Sequence, residues 1–124
     1  MSYVDGFVLP LPRQNLESYR EMAEQAGAIW REHGALAYRE CVGEDLDVGS
    51  MPDMPVVPFT RTVDAKPGET VVFAWIVYES RAHRDEVNSK VMADPRMAEI
   101  GAGRDMPFDA KRMAYGGFET LVDL

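Results

Sequence analysis

Two segments of the chain are apolar on both sides of the strands that they would form. They have the sequences YVDGFVL (Tyr3–Leu9) and VVFAWIVY (Val71–Tyr78). Successive side chains of a strand point to opposite faces of a sheet, so a strand that is apolar at nearly every position needs cover on both faces. This need for cover constrains the fold more than any other feature of the sequence.

The remainder of the chain provides cover for only one face. Apolar residues recur at helical spacing over residues 14–33, and a second helix is predicted from its N-cap, Ser80, to about Ala93. Helices are roughly 10 Å across and strands lie about 4.8 Å apart, so two helices cover one side of a four-stranded sheet. We therefore expect the other side to meet a partner or to enclose a ligand.

The other predicted elements complete a single α+β domain over residues 1–124. A type II turn at Lys66–Glu69 would form a hairpin into the following strand, and Asp94-Pro95 would start a short helix. Gly116-Gly117 marks a bulge or a close backbone approach. The order is βαββαβ with one long insertion, the ferredoxin-like arrangement of an antiparallel sheet with helices on one face. Strands are predicted at Tyr3–Leu11, Leu36–Val42, Phe59–Val63, Thr70–Tyr78 and about Lys111–Leu121, and a long loop at Gly43–Pro58.

Charge and composition argue against several functional classes. The chain has 21 acidic and 13 basic residues and a net charge of −8, which disfavours binding to nucleic acid or to anionic membranes. No apolar run approaches the roughly 18 residues of a membrane-spanning helix, and no secretory signal is recognisable. The single cysteine, Cys41, suits the reducing cytoplasm, where we expect the protein to lie. No metal site and no cofactor are expected, because neither histidine has the spacing of a metal-binding motif.

Four segments carry a resemblance to a known family. They are YVDGFV at residues 3–8, SYREMA at 18–23, ADPRM at 93–97 and MPFDAKRMAYGGFE at 106–119. With them the chain resembles the YbaA-like bacterial family of unknown function nearly from end to end. The resemblance implies a dimeric α+β barrel, in which the sheets of a homodimer close face to face. It implies no reaction, because the family is uncharacterised and function on this fold differs between members.

Glu40 is the first candidate for chemistry. It would share one face of its strand with Leu36, Tyr38 and Val42, so its carboxyl lies on an otherwise apolar stripe. Burial there would raise its pKa and suit it to general acid or base catalysis. The alternative is a partner for an arginine, such as Arg39 of a second chain or Arg61.

The start of the last predicted strand supplies the other polar candidates. Asp109 and Arg112 would hold an anionic substrate, and Tyr115 would donate or shuttle a proton. In the structural alternative, Asp109 caps the loop, Arg112 pairs with a surface carboxylate and Tyr115 fills an interface.

Aromatic and methionine side chains would line a pocket beside these groups. Tyr38, Trp75 and Tyr115 on a common face would enclose a planar or hydrophobic molecule, and Met113 would add an adaptable wall. Alternatively, Trp75 packs in the core under the helices, and the methionines fill gaps at a dimer seam.

Two functions follow from this sequence. The first is binding, or cofactor-free transformation, of a small organic molecule between sheet and helices, with Glu40, Asp109 and Tyr115 as catalytic candidates. Tyr38, Trp75, Arg112 and Met113 would bind the molecule. The second is a structural or interaction module whose sheet face serves only homodimerisation.

Overall fold

The sheet places the two doubly apolar strands at its centre. The computed structural model describes residues 2–47, 53–103 and 105–124. Within them the strands form one antiparallel sheet in the order β2-β3-β1-β4. The strands are β1 (Tyr3–Pro12), β2 (Ala37–Val42), β3 (Glu69–Tyr78) and β4 (Ala114–Glu119).

Two longer and two shorter helices accompany the sheet. Ser80 caps the third helix: its Oγ accepts a hydrogen bond from the backbone N–H of His83 at 3.1 Å. Asp94 caps the fourth helix: its Oδ1 accepts a hydrogen bond from the backbone N–H of Arg96 at 2.9 Å. Both caps confirm the sequence prediction. The helices are α1 (Leu16–Glu32), α2 (Phe59–Thr62), α3 (Arg81–Ala93) and α4 (Pro95–Ile100), with 3₁₀ turns at Arg13–Asn15 and Ala110–Arg112.

The core lies between the sheet and helices α1 and α3. Alternation directs the odd-numbered residues of β1 and the even-numbered residues of β3 to this side, which we call the helix face. Helix α1 contributes Tyr19 and Ala23 to one buried cluster and Ile29 to the other, where it joins Val87 and Val91 of α3. The buried apolar residues of the two clusters are Leu9, Leu11, Tyr19, Ala23, Val72 and Ala74, and Ile29, Ala35, Ile76, Tyr78, Val87 and Val91.

The opposite side of the sheet, which we call the open face, remains partly uncovered. Phe73 is 45% exposed and Phe118 is 60% exposed, although both lie on strands of the sheet. Helix α2 reaches this face through Phe59, whose ring centroid lies 6.0 Å from that of Phe73. Other apolar residues of the open face are Val4, Val8, Trp75 and Val77.

The strand predicted at Phe59–Val63 is wrong, because these residues form helix α2. The backbone N–H of Val63 donates to the carbonyl of Phe59 at 3.0 Å. Apolar residues four positions apart suit one turn of helix as well as they suit alternation in a strand, which is why the pattern misled. The type II turn is confirmed, with Gly68 at φ 86° and the N–H of Glu69 bonded to the carbonyl of Lys66 at 3.0 Å. It leads from α2 into β3 and closes no hairpin.

The last strand starts later than predicted, at Ala114, because Asp109 caps the preceding 3₁₀ turn. Its register with β1 is regular through Gly116 and Gly117, so the two glycines form no bulge. They mark a close approach instead: a Cβ on Gly117 would overlap the hydroxyl of Tyr3 and lie 3.0 Å from a guanidinium nitrogen of Arg84. In the described part of the chain, no helix is long and apolar enough to cross a bilayer.

A buried ion pair ties the central strand to α3 and β4. Asp5 is 1% exposed, and its Oδ1 accepts a hydrogen bond from Arg84 Nη1 at 2.6 Å. The same nitrogen donates to the hydroxyl of Tyr115 on β4 at 3.0 Å, and the guanidinium carbon lies 5.0 Å from the ring centroid of Tyr3. Arg84 therefore joins three elements while neutralising a carboxylate that is withdrawn from water.

We expect Arg84→Met to lower the free energy of unfolding by about 3–5 kcal/mol, because it leaves Asp5 buried without a countercharge. The measurement is urea unfolding at neutral pH. Arg81→Met, at an exposed position of the same helix, is the control and should change stability by less than about 0.5 kcal/mol. Equal unfolding free energies for the two variants would contradict the role assigned to the pair.

Candidate functional site

A groove runs between α1 and the edge strand β2. Its volume is about 490 Å³, within the range of small-molecule sites. We call it the outer groove, because exposed residues of α1 form its rim. It is lined by Leu16, Tyr19, Arg20, Ala23, Glu24, Gly27, Ala28, Arg31, Tyr38, Glu40, Cys41, Val42 and Val72.

A smaller cavity of about 140 Å³, the inner cavity, lies beneath α1 against the middle of the sheet. Its lining is almost wholly apolar and aromatic. Tyr19, Ala23, Tyr38 and Glu40 border both spaces, so these four residues separate the inner cavity from the outer groove. The other lining residues include Phe7, Leu9, Met22, Trp30, Phe108 and Met113.

The Glu40 carboxylate is held by two tyrosines. The hydroxyl of Tyr19 donates to Oε1 and that of Tyr38 donates to Oε2, each at 2.7 Å. Tyr38 and Glu40 are two residues apart on β2 and so share a face, as the sequence predicted, while Tyr19 comes from the buried side of α1. Among the described residues, no lysine, arginine or histidine forms an ion pair with Glu40. Within the described chain, two phenols rather than Arg61 are the partners of Glu40.

Both phenols act as stable hydrogen-bond donors. Burial, followed by the charge of Glu40, raises the pKa of Tyr19 and the pKa of Tyr38 far above the usual range. Neither tyrosine therefore gives up its proton near neutral pH. Each carboxylate oxygen accepts one of these bonds and keeps further lone-pair capacity for another donor.

The two arginines of the groove are already engaged. Arg20 forms ion pairs with Glu17 at 2.8 Å and with Glu24 at 3.0 Å on its own helix. The guanidinium of Arg31 donates to the backbone carbonyls of Ala35 and Leu36. Glu40 therefore lies at the floor of the groove as a carboxylate that forms no ion pair and can still accept hydrogen bonds.

A glycine allows the wall of this site to close. Tyr38 packs against the backbone of α1 at Gly27, where an added Cβ would lie 2.6 Å from Cδ1 and 3.1 Å from Cγ of the tyrosine ring. Relief of this overlap requires either a new χ1 rotamer of Tyr38, which would move its hydroxyl away from Glu40, or a shift of the helix away from the strand. Gly27 thus sets the distance between helix and strand at which both hydroxyls reach Glu40.

The aromatic set predicted from the sequence is divided between the two faces. Tyr38 and Met113 border the inner cavity from the helix face, beside Glu40. Trp75 pairs across the sheet with Arg39 and borders the same cavity only from the far side of its strand, with its ring centroid 5.3 Å from that of Phe73. The sequence left the face of Trp75 undecided, and alternation places it on the open face, opposite Tyr38, rather than beside Tyr38 or under the helices.

The polar candidates near the last strand do not reach Glu40. Asp109 accepts a hydrogen bond from the N–H of Lys111 at 3.0 Å and so caps the 3₁₀ turn. Arg112 binds both carboxylate oxygens of Glu69, at 2.7 and 2.9 Å, and these bonds lower the pKa of Glu69 to about 2. Both positions match the structural alternative for these two residues.

Tyr115 lies beside the Asp5–Arg84 pair. Its ring centroid is 5.0 Å from that of Phe7, and its hydroxyl accepts the hydrogen bond from Arg84. Burial, then the charge of Asp5, raises the pKa of Tyr115.

Sequence reasoning missed Tyr19 and Phe108 as parts of the site. The Tyr19 ring meets that of Phe108 edge to face at 5.6 Å, which fixes the ring whose hydroxyl bonds Glu40. The signal available was a tyrosine within the apolar stripe of a helix, because a buried tyrosine hydroxyl needs a polar partner. In the described residues, no group of histidine, cysteine or acidic side chains is arranged to hold a metal ion.

Comparison with known proteins identifies the family. Residues 2–110 match the model of a family described as a protein of unknown function (DUF1428). The chain is 48% identical over 123 residues to the uncharacterised protein YbaA of Escherichia coli strain K12 and to that of Shigella flexneri, covering 99% of each chain. The chain belongs to this YbaA-like family. A solved structure, the de novo designed protein Foldit4, covers 98% of the chain with a TM-score of 0.47 and 7% identity.

We expect Gly27→Ala to destabilise the protein by about 1–3 kcal/mol through overlap with Tyr38. The sign of this change in unfolding free energy tests the packing, because replacing glycine by alanine within a helix ordinarily stabilises a protein by about 0.5–1 kcal/mol. In a Tyr38→Ala background the ring is gone, and the same substitution should become stabilising. Chemical unfolding of the four proteins gives both differences, and an equal effect of Gly27→Ala in the two backgrounds would contradict the packing argument.

Proposed function

We propose that the protein binds a small organic molecule in the outer groove, with the Glu40 carboxylate as its polar anchor. The observation that carries the proposal is a carboxylate held by two phenols at the floor of a groove of about 490 Å³. Binding sites of this kind combine a largely apolar lining with a few fixed polar groups. The inner cavity adds apolar space directly behind Glu40.

The hydrogen bonds favour binding over proton transfer by the tyrosines. A general acid works best when its pKa lies near the operating pH. Tyr19 and Tyr38 have pKa values far above that range and serve to orient Glu40. Any cofactor-free transformation of the ligand would therefore use Glu40 itself as the proton acceptor.

A thermal-shift screen with a metabolite library tests the proposal. We expect at least one compound to raise the melting temperature of the unaltered protein, since a ligand that binds the folded state stabilises it. Ala28→Trp should abolish the shift, because Ala28 is exposed and lines the outer groove. Ala82→Trp, at an exposed position of α3, is the matched control and should retain it. The proposal fails if no compound stabilises the protein, or if the hits bind Ala28→Trp equally well.

A second candidate function is homodimerisation through the open face. The strand order β2-β3-β1-β4 and the packing of both long helices on one face support a ferredoxin-like domain. Two such sheets facing each other would form the barrel that the family resemblance implies. The exposed rings of Phe73 and Phe118, together with Phe59, supply the contiguous apolar surface that a partner would cover.

We expect Phe73→Glu to shift the protein to a monomer at micromolar concentration, because the charge would be buried in the interface. Val42→Glu is the control, since Val42 is similarly exposed but points to the helix face. Light scattering coupled to size exclusion measures the mass of each variant. A monomeric unaltered protein would contradict this candidate outright.

A further inference from the structure

We infer that the ligand of the outer groove is an organic cation, an amine joined to an apolar body. This inference rests on the proposed function, because it specifies the occupant of the same groove. Its basis is that the Glu40 carboxylate is hydrogen-bonded by two neutral phenols and not by a cationic side chain.

The first argument concerns what Glu40 lacks. A partly buried carboxylate is ordinarily matched by a cation, since two neutral donors do not cancel its charge. Tyr19 and Tyr38 fix its two oxygens and leave acceptor capacity on each. An ammonium group entering the groove would supply both the missing charge and the missing donors, as charge-assisted hydrogen bonds.

The second argument concerns the cations that the groove already contains. Arg20 is paired with two glutamates of its own helix, which offset its charge. Arg31 directs its guanidinium to the carbonyls of Ala35 and Leu36, which lie between α1 and β2. Of the two arginines in the lining, Arg20 is therefore offset by carboxylates, and Arg31 directs Nη1 to backbone carbonyls rather than to Glu40.

The third argument concerns the electrostatic potential around the groove. Glu40 lies at the floor, Glu24 on the rim and Glu17 two helical turns before Glu24. Three acidic groups therefore stand against the two arginines Arg20 and Arg31. The chain as a whole carries a net charge of −8. Such a field attracts cations and repels anions before any contact is made.

The lining of the groove also indicates the chemical nature of the uncharged part of the ligand. Beyond the charged residues, the wall consists of aliphatic and small side chains, among them Leu16, Ala23, Ala28, Val42 and Val72. These aliphatic and small residues offer no side-chain hydrogen bonds to a polyhydroxylated body and suit an alkyl or aryl one. A carboxylate at the floor and an apolar wall together indicate a hydrophobic amine.

Three probes of nearly equal size and shape test the inference: phenylbutylamine, phenylbutanol and phenylbutyrate. Their affinities for the unaltered protein are measured by isothermal titration calorimetry. We expect the amine to bind at least about tenfold more tightly than the alcohol, the factor for one charge-assisted hydrogen bond. Phenylbutyrate should bind more weakly than either. Ala28→Trp should abolish binding of the amine. Because Ala28 also borders a separate groove beside Arg96, Val42→Trp on β2 should abolish it too, which places the amine in the outer groove.

Two glutamine variants identify the counter-ion. Glu40→Gln should remove the preference for the amine over the alcohol, whereas Glu24→Gln on the exposed rim should keep most of it. The comparison of the three probes with the unaltered protein stands even if Glu40→Gln fails to fold.

The outcomes separate this inference from the proposed function. If the alcohol or phenylbutyrate binds the groove as tightly as the amine, the cation assignment is overturned and the binding function stands. If amines fail while library compounds of other charge bind and are blocked by Ala28→Trp, the result is the same. If nothing in the library or the probe series binds, both are overturned.

Discussion

The alternation of side chains along β1 and β3 determines what the rest of the molecule must do. Both strands are central, and both are apolar at nearly every position, so the sheet has two apolar faces. Helices α1 and α3 bury one of them so well that Leu9 and Tyr78 are almost inaccessible. The same geometry leaves Phe73 and Phe118 exposed on the other. The described residues contain no further long helix with which to cover them.

Much of the fold could be predicted from the sequence because local rules determine it. Ser80 and Asp94 are capping residues followed by helical sequence, and Gly68 supplies the positive φ that a type II turn requires. The failure at Phe59–Val63 has an equally local cause, since five residues with apolar ends fit a helical turn and a strand alike. Periodicity separates the two only over longer segments.

The site was predictable only in part, because it depends on contacts between distant segments. The shared face of Tyr38 and Glu40 follows from alternation, whereas Tyr19 meets Glu40 only once α1 has packed on β2. Which face of β3 carries Trp75 is likewise a property of the whole sheet. Arg112 presented the same difficulty: its position near Asp109 in sequence suggested a site, but Glu69, 43 residues away, is its partner.

The outer groove exists because β2 is an edge strand and the helix beside it carries small residues. A further strand next to β2 would fill the space in which Glu40 is reached from outside. Ala23, Gly27 and Ala28 on α1 keep the opposite wall shallow, and Gly27 admits the Tyr38 ring against the helix backbone. Larger residues there would bring side chains, rather than open space, to the carboxylate.

The groove and the open face lie on opposite sides of the same strand, which makes the two proposed roles compatible. Arg39 and Cys41 alternate with Tyr38 and Glu40, so a partner on the open face would contact the former without covering the latter. Such a partner would also hold the backbone of β2, an edge strand that has only β3 as its neighbour in the sheet. Because Glu40 and one of its two phenols both belong to β2, an assembly that steadies this strand would also preorganise the anchor for a ligand.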